Sequence, residues 1–442
     1  MQPITRERLD AFSSHYAASR ERQLATLSLS RSELNSVAFV SSRANAMRQK
    51  FSVEIPTMEV CNQERSGRCW LFAAANVLRE RIAKEHNLEK FELSQSYLAF
   101  WDKFERCNYF LESIILTAGL PTDDRTVMHI LSTGVHDGGQ WDMFGNIVRK
   151  YGIVPKDVYD ETWQSSNTNQ MNAVLNRALK AAAAKLRGMI ASGASEDDVQ
   201  AEKTAVLDAI YGFLASCYGE PPKAFDFEFV DKDGEYHVEK DYTPRAFAER
   251  YVSDLLERTV SIINAPTKDK PMHKTYTIRL LGNVAEGRPV KHLNLTMDEF
   301  KAAIIAQLQD GKVVWFGSDV GHYGERTKGI WDDGCFDFEL LSGLSLSMSK
   351  ADALDYGLSA MNHAMVLTGV QLEDGKPTRW KIENSWGDKS GEKGYYVCSD
   401  SWFDGYVYQA AVEKEYLGDL AALAEQEPAV LEPWDPMGTL AD

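Results

Sequence analysis

The helix that decides this fold begins within Gln63-Glu-Arg-Ser-Gly-Arg-Cys-Trp70. The pattern over residues 68–86 is apolar early and charged late, and it contains no glycine or proline, which predicts a helix. Cys69 therefore stands at a helix N-terminus, where backbone N–H groups and the helix dipole lower the pKa of a thiol. Because a cysteine near a helix start is more often a packing residue, this position alone makes Cys69 only a candidate nucleophile.

Three further side chains fit an acyl-transfer site around that cysteine. Gln63 lies on the loop that enters the helix, where its amide can donate a hydrogen bond to an oxyanion beside the sulfur. His363 begins a strongly apolar strand pattern, a position that suits a packed core histidine equally well. Asn384 lies on the next strand, across a predicted hairpin turn at Asp374-Gly375, so strand pairing brings it near His363. Together with Cys69 these residues compose a nucleophilic acyl-transfer site.

Three motifs of the chain together resemble those of the papain-like cysteine peptidases. They are residues 63–70, Asn362-His-Ala364 and Glu383-Asn-Ser-Trp-Gly387. The chain lacks the disulfide cysteine that secreted members carry before the nucleophile, and Cys69 and His363 are separated by far more than the usual span of about 130–150 residues. Both departures indicate the intracellular bleomycin hydrolase / aminopeptidase C family. Further long motifs resemble that family: Phe91-Glu-Leu-Ser-Gln-Ser-Tyr97, Phe100-Trp-Asp-Lys103, Arg106-Cys-Asn-Tyr-Phe-Leu-Glu112, Asp137-Gly-Gly-Gln-Trp-Asp-Met143 and Trp434-Asp-Pro-Met-Gly438.

The resemblance implies a catalytic role for each matching residue. Cys69 resembles the family nucleophile, and His363 resembles its general base and acid. Asn384 resembles the residue that orients the imidazole. Gln63 and the backbone N–H of Cys69 resemble the oxyanion hole.

The resemblance also implies a set of substrate-binding residues. Gly138 and Gly139 resemble the paired glycines along which a substrate backbone lies, since absent side chains permit a close approach; a simple loop turn is the alternative. The last residues, Leu440, Ala441 and Asp442, resemble a tail that fills the cleft beyond the first substrate residue. A carboxylate of Asp442 would then meet the free amine of the substrate. The alternative is a frayed acidic terminus.

Two tryptophans flank the predicted site. Trp70 follows the cysteine, as in papain-like peptidases, and Trp386 would shield the His–Asn hydrogen bond from water, which strengthens that bond. A purely structural role as a core aromatic is compatible with that reading of Trp386. The remaining cysteines are expected to be packing residues: Cys61, Cys107, Cys217, Cys335 and Cys398.

Hydrophobic periodicity predicts an α+β protein, because helical patterns dominate the first half of the chain and strand patterns the second. The resemblance specifies a papain-like fold, with a helical domain and a β-barrel-like domain. A large helical insertion accounts for the long separation between the catalytic cysteine and histidine. The expected organisation is an N-terminal helical arm (1–50), a helical half with the catalytic cysteine (51–160), a helical insertion (161–260), a strand-rich half with the catalytic histidine and asparagine (261–415) and a tail that reaches the active site (416–442).

Composition excludes several classes of function. The 442 residues include 48 Lys and Arg against 65 Asp and Glu, a net charge of −17, which repels phosphate backbones, so nucleic acid is not expected as the main partner. No stretch approaches the roughly 18 apolar residues of a membrane span, and the first residues do not resemble a secretory signal. The six cysteines and nine histidines show no metal-ligand spacing, so no metal or cofactor is expected. Cysteines this sparse suit the reducing cytoplasm.

The sequence therefore predicts a cytoplasmic cysteine aminopeptidase that uses a Cys-His-Asn acyl-enzyme mechanism. The resemblance implies that it releases N-terminal residues from small peptides, that its tail sets this specificity, and that it forms a homohexamer with active sites facing an internal cavity. Three alternatives remain: an endopeptidase of the same fold, a nucleic-acid-binding ring with secondary peptidase activity, and an acyltransferase. Acyltransferases of this type usually orient their histidine with an aspartate, which disfavours the last alternative.

Overall fold

The structure is a computed structural model, and it describes residues 1–441. Its α-helices are α1 (Arg6–Ala18), α2 (Arg20–Leu29), α3 (Leu34–Ala38), α4 (Ser41–Ala46), α5 (Cys69–Glu85), α6 (Gln95–Leu116), α7 (Arg125–Thr133), α8 (Trp141–Tyr151), α9 (Trp163–Ser166), α10 (Asn169–Ala191), α11 (Glu196–Tyr218), α12 (Pro244–Tyr251), α13 (Ser253–Arg258), α14 (Met297–Gln309), α15 (Phe338–Ser342), α16 (Lys350–Asp355) and α17 (Asp400–Tyr406). Two 3-10 helices lie at Lys414–Glu425 and Pro436–Gly438. Within residues 1–441, no helix combines the length and the apolar character needed to cross a membrane.

The strands lie mostly in the second half of the chain. They are β1 (Val53–Glu54), β2 (Phe225–Val230), β3 (Tyr236–Tyr242), β4 (Thr259–Ile263), β5 (Thr275–Ile278), β6 (His292–Asn294), β7 (Val314–Ser318), β8 (Gly324–Glu325), β9 (Ile330–Trp331), β10 (His363–Glu373), β11 (Lys376–Glu383), β12 (Tyr395–Ser399), β13 (Val407–Glu413) and β14 (Ala429–Leu431). This order of helices and strands confirms the predicted α+β class.

Helix α5 forms the centre of the helical half. Its first half, from Cys69 to Asn76, is buried throughout, because small and apolar residues on every face allow α6, α8 and the sheet to pack around it. Helix α6 packs beside it and begins at Ser94, whose side chain accepts a hydrogen bond from the Tyr97 backbone N–H. The nucleophile candidate is thereby fixed at the end of a rigid, enclosed helix.

Strand β10 is the central strand for the site. It pairs antiparallel with β7 on one side and with β11 on the other, and β1 extends its far end. The predicted hairpin between β10 and β11 is confirmed: Asp374 and Gly375 both have positive φ, at 50° and 78°, as a tight two-residue turn requires. These strands belong to a 12-stranded sheet within the described chain, in the order β14-β5-β6-β4-β13-β7-β10-β11-β12-β9-β8 with β1 beside β10.

The segment predicted as a helical insertion also contains a β-hairpin. Helices α10 and α11 form the expected helical pair, but β2 and β3 follow them and pair antiparallel. Phe225 and Phe227 are buried from alternate positions of β2, and both pack on the Phe247 ring. The alternating Phe-Asp-Phe-Glu-Phe pattern and a turn at Gly234, with φ of 84°, are the sequence signals of this hairpin.

Candidate active site

Cys69 is the first residue of α5, and its side chain is completely buried. Its Sγ lies 3.5 Å from the backbone N–H of Ala364, the second residue of β10. The preceding Arg68 is held by a two-pronged bond to Glu161, at 3.1 and 3.0 Å, and by its Nε donating to Ser66 Oγ at 2.9 Å. These contacts fix the turn that presents the thiol to the start of the central strand.

His363 and Asn384 meet across the β10–β11 hairpin. His363 Nε2 lies 2.9 Å from Asn384 Oδ1, and both side chains are buried. Since an amide oxygen only accepts, Nε2 carries the proton, and Nδ1 keeps the lone pair that a general base needs. The Trp386 ring lies 4.8 Å from the imidazole, centre to centre, and covers this bond.

The surroundings of His363 favour its neutral form by lowering the pKa of the imidazole. Burial lowers the pKa of His363 to about 4, an effect that the bond to Asn384 opposes and the nearby Arg326 reinforces. The imidazolium is therefore unfavourable here unless an anion faces it. A thiolate formed by proton transfer from Cys69 is such an anion.

The side chain of Gln63 is held in one orientation by contacts at both ends. Its Nε2 donates to the Ser66 carbonyl oxygen at 2.7 Å, and its Oε1 accepts from Ser385 Oγ at 2.6 Å. Its backbone N–H also donates to the Ser385 carbonyl at 2.9 Å. Because Nε2 has two hydrogens, one remains for an oxyanion.

The two predicted glycines lie beside Trp70. A Cβ at Gly139 would lie only 2.4 Å from a ring carbon of Trp70, so any side chain there displaces the indole. The Gly138 N–H donates to His136 Nδ1 at 3.2 Å, and its carbonyl accepts from Arg106. Gly139 thus permits close packing against the residue that follows the nucleophile, while the backbone of Gly138 is held by two hydrogen bonds.

Asp137 is a part of the site that sequence reasoning missed. Its carboxylate accepts from Lys103 at 2.5 Å, from Asn172 at 2.9 Å and from the backbone N–H of Gly67 at 2.9 Å. Its carbonyl accepts from the Trp70 indole N–H at 2.6 Å. Burial alone would raise the pKa of Asp137, but the Lys103 ammonium and the hydrogen bonds hold it below its usual range. The signals in the sequence were its position immediately before the glycine pair and its place at the start of the family-like motif Asp137–Met143.

The C-terminal tail is anchored along its length up to the glycine pair. Strand β14 pairs in parallel with β5, and Lys270 forms a 2.8 Å ion pair with Asp435. The Arg125 guanidinium lies 3.8 Å above the Trp434 ring. Gln140, a second residue that sequence reasoning missed, donates from Nε2 to two carbonyl oxygens of the tail, those of Met437 and Thr439.

The end of the tail pairs with the glycines. The Gly139 N–H donates to the Ala441 carbonyl at 3.1 Å, and the Ala441 N–H donates to the Gly139 carbonyl at 3.3 Å, as in an antiparallel sheet. Ala441 is completely buried, and Leu440 is half-buried against the core. Asp442, the third predicted tail residue, lies outside the described residues. Through residue 441 the tail is docked and does not fray.

Burial raises the pKa of the five cysteines that the sequence predicts to be packing residues, Cys217 among them. Burial raises the pKa of Cys107 to about 12 and, with help from Asp332, that of Cys335 to about 12. Burial likewise raises the pKa of Cys61 and Cys398. A raised pKa disfavours the reactive thiolate, in agreement with packing roles.

A cysteine at the start of the central helix, facing a His–Asn pair at strand ends, defines a papain-like cysteine peptidase. The profile of the Peptidase C1-like family matches residues 3–438. Aminopeptidase C of Lactobacillus delbrueckii subsp. lactis is 52% identical over 395 residues, 88% of each chain, and aminopeptidase C of Listeria monocytogenes is 44% identical over 439 residues, 99% of each chain. The crystal structure of PepW from Lactobacillus rhamnosis HN001 (DR20) superposes with a TM-score of 0.97 at 47% identity, covering 99% of both chains. The chain belongs to the Peptidase C1-like family, in its aminopeptidase C / bleomycin hydrolase branch, and is a cysteine aminopeptidase.

Proposed function

We propose that this enzyme hydrolyses peptide bonds through an acyl-enzyme formed on Cys69. His363 Nδ1 accepts the thiol proton, and the thiolate attacks the carbonyl carbon of the substrate. The oxyanion receives hydrogen bonds from Gln63 Nε2 and from the Cys69 backbone N–H. His363 then protonates the leaving amine as the C–N bond breaks. A water molecule that His363 deprotonates attacks the thioester and releases the acid and the thiol.

One observation carries this mechanism. The 2.9 Å contact between His363 Nε2 and Asn384 Oδ1 leaves Nδ1 as the basic nitrogen, at the start of the strand whose next N–H lies 3.5 Å from Cys69 Sγ. Asn384 Oδ1 also accepts from the Ser385 backbone N–H at 2.8 Å, which holds the amide oxygen in place for the ring. Asn384 therefore orients the base without itself exchanging a proton.

We further propose that the tail restricts the enzyme to peptides with free N-termini. Ala441 uses both backbone hydrogen-bonding groups of Gly139, which supports a steric block against substrate residues on that side of the cleft. The next residue, Asp442, lies outside the described residues and has a side-chain carboxylate. That carboxylate would receive the ammonium of the substrate, a charge-assisted contact worth about 1.5–3 kcal/mol.

The proposal is tested with aminoacyl fluorogenic substrates that carry either a free or an N-acetylated amine. The wild-type enzyme should cleave the free substrates and refuse the blocked ones, and Cys69→Ala should abolish turnover. Loss of a nucleophile costs several orders of magnitude, so a variant that keeps a tenth of wild-type activity would exclude Cys69. Internal cleavage of blocked peptides by the intact chain would instead favour the endopeptidase alternative.

We also propose a homohexamer, in line with the family resemblance. The N-terminal arm supports an interface, because α1 and α2 contain no buried residue and expose large apolar side chains. These side chains include Leu9, Phe12, Tyr16, Leu24 and Leu27. Sedimentation of the full chain and of a variant lacking residues 1–33 tests this: the full chain should sediment as six copies and the variant as fewer.

The proposed partners are peptides, and the proposed location is the cytoplasm. Thiols of high pKa, packed in the core at Cys61, Cys107 and Cys398, suit a reducing compartment. The net charge of −17 disfavours a nucleic-acid partner. A gel shift at physiological ionic strength should show no complex with DNA or RNA, and fractionation should find the enzyme with cytoplasmic markers.

A further inference from the structure

A buried ion pair joins the helix of the candidate nucleophile to the strand end of Asn384. The Arg79 guanidinium on α5 lies 2.8 Å from Glu383 Oε1, and both side chains are at most 2% exposed. Asn76, also on α5, donates from Nδ2 to the same carboxylate oxygen at 2.7 Å. Glu383 immediately precedes Asn384 on the chain. None of these three polar groups has a role in the hydrolytic steps.

The same cluster reaches the loop that carries Gln63. Cys61, two positions before Gln63, donates from Sγ to Asn76 Oδ1 at 3.3 Å and accepts from Arg79 at 3.0 Å. Arg79 also donates to the Met58 carbonyl oxygen at 3.4 Å. Cys61 is buried, as expected of a packing residue, and its partners in this cluster are polar.

The arrangement follows from helix and strand periodicity. Positions 69, 76 and 79 fall on neighbouring parts of one face of α5, so the thiol and the two polar side chains point toward the same sheet. Glu383 is the Cα partner of Val366 on β10, the strand that begins at His363. The cluster therefore contacts the helix, the loop and the strand pair that carry all four proposed catalytic residues.

Stability alone does not account for this cluster. A buried ion pair is weak evidence for stability, because apolar residues of similar volume often serve as well. Burial raises the pKa of Glu383 to about 7 against the opposing effect of Arg79, so the charged carboxylate is costly where it lies. The other ionisable groups that face it are Glu80 on α5, Tyr395 on β12 and Cys61.

We propose that Glu383 is a positioning residue that, through Arg79 and Asn76, fixes the end of β11 against α5. It thereby sets the position of the His363–Asn384 pair relative to Cys69. This inference rests on the proposed function, since it assigns those three residues to catalysis. Glu383 has no contact with substrate in this proposal and acts only through the groups that it holds.

The test compares Glu383→Gln with the double variant Glu383→Gln/Arg79→Met. The single variant leaves the buried Arg79 with Glu80, at 3.2 Å from its Nε, as its remaining carboxylate partner, so its melting temperature should fall. The double variant removes both charges of the Arg79–Glu383 pair and should recover part of that loss. A displacement of about 1 Å costs about 10²-fold in rate, so both variants should lose about 10- to 100-fold in kcat with KM little changed. The pH profile of Cys69 alkylation by iodoacetamide should shift in both, because it reports the thiolate–imidazolium pair.

The matched control is Lys301→Met. Lys301 is also largely buried and pairs with Asp400 at 2.8 Å and with Asp404, on α14 and α17, away from the site. This variant should lower the melting temperature and leave kcat and the alkylation profile unchanged. Should Glu383→Gln fail to fold, Arg79→Lys retains the charge but shortens the reach to Cys61 and the Met58 carbonyl, and it should still lower kcat.

Recovery of kcat together with stability in the double variant would overturn the inference, because the effect would then be structural. A wild-type alkylation profile in every folded variant would overturn it as well. Failure of the proposed function has a separate signature, namely turnover by Cys69→Ala. The alkylation of Cys69 measures its geometry with His363 whether or not that thiol carries the hydrolysis.

Discussion

Replacing Gln140 by alanine should release the C-terminal tail without touching the proposed catalytic groups. Gln140 is completely buried, and its Nε2 donates to the carbonyl oxygens of Met437 at 3.1 Å and Thr439 at 2.8 Å. Each such bond contributes a net of about 0.5–1.5 kcal/mol, so docking of the tail loses about 1–3 kcal/mol in the variant. The population of released tail should therefore rise about 5- to 150-fold.

An N-acetylated peptide with an internal fluorogenic bond reports the released state, because the docked Ala441 is proposed to exclude such a peptide. Its kcat/KM should rise by the same factor, up to a ceiling set by an enzyme that lacks residues 439–442. Cleavage of free aminoacyl substrates should fall in parallel, since the proposed partner of the substrate ammonium, the Asp442 carboxylate, would move away with the tail. Alkylation of Cys69 by iodoacetamide should continue at the wild-type rate.

The matched control for this experiment is Gln307→Ala. Gln307 on α14 is also buried, and it donates to the Val313 carbonyl at 3.0 Å and accepts from the Glu413 N–H at 2.8 Å, so it has no bond to the last part of the tail, residues 437–441, that Gln140 holds. This variant should lower the melting temperature and leave the preference for free N-termini intact. The reasoning is refuted if Gln140→Ala destabilises the protein as much as the control does and still refuses blocked peptides.

Three further predictions concern the site itself. Gln63→Ala should lower kcat by about 10²–10³ in steady-state assays, the cost of one oxyanion donor, and an unchanged kcat would remove Gln63 from the mechanism. Asn384→Ala should lower kcat more than it raises KM, because it disturbs the imidazole and leaves the substrate contacts; the reverse pattern would assign Asn384 to binding. Asp137→Asn should cost about 3–5 kcal/mol at neutral pH, since Lys103 is left buried without its partner. Because the pKa of Asp137 is lowered in the fold, its stabilisation is present above the ordinary carboxyl pKa of about 4 and is lost as the pH falls below it. Melting temperatures of wild type should therefore fall more steeply than those of Asp137→Asn on acidification.

Local patterns in the sequence were sufficient to predict the elements that carry the site. The helix expected over 68–86 spans Cys69–Glu85. The hairpin turn at 374–375 could be predicted because a tight turn needs specific residues at fixed positions. With that turn placed, the approach of His363 to Asn384 follows from strand pairing. These features depend on neighbours in sequence, so composition and spacing reveal them.

The polar contacts that support the site were not predictable in the same way. Asp137 accepts hydrogen bonds from Lys103 and Asn172. Glu383 pairs with Arg79, which lies 304 positions away in the sequence. From sequence alone, a charged residue is expected to be solvent-exposed, because its buried partner lies in a distant segment of the chain. The β2–β3 hairpin was missed for a different reason. Its short alternating pattern lies directly after two long helices, which suggested that the whole insertion was helical.

Trp70 lies between the candidate nucleophile and the residues that pair with the tail. It follows Cys69 on α5, its carbonyl oxygen accepts from the Trp315 indole at 3.3 Å, and its own indole donates to the Asp137 carbonyl. Its ring fills the space that a side chain at Gly139 would need, and Gly139 in turn pairs with Ala441. The separation between Cys69 and Ala441 is therefore set by packed groups. If the tail receives the substrate ammonium as proposed, a fixed separation of this kind would hold the ammonium and the scissile carbonyl in place at the same time.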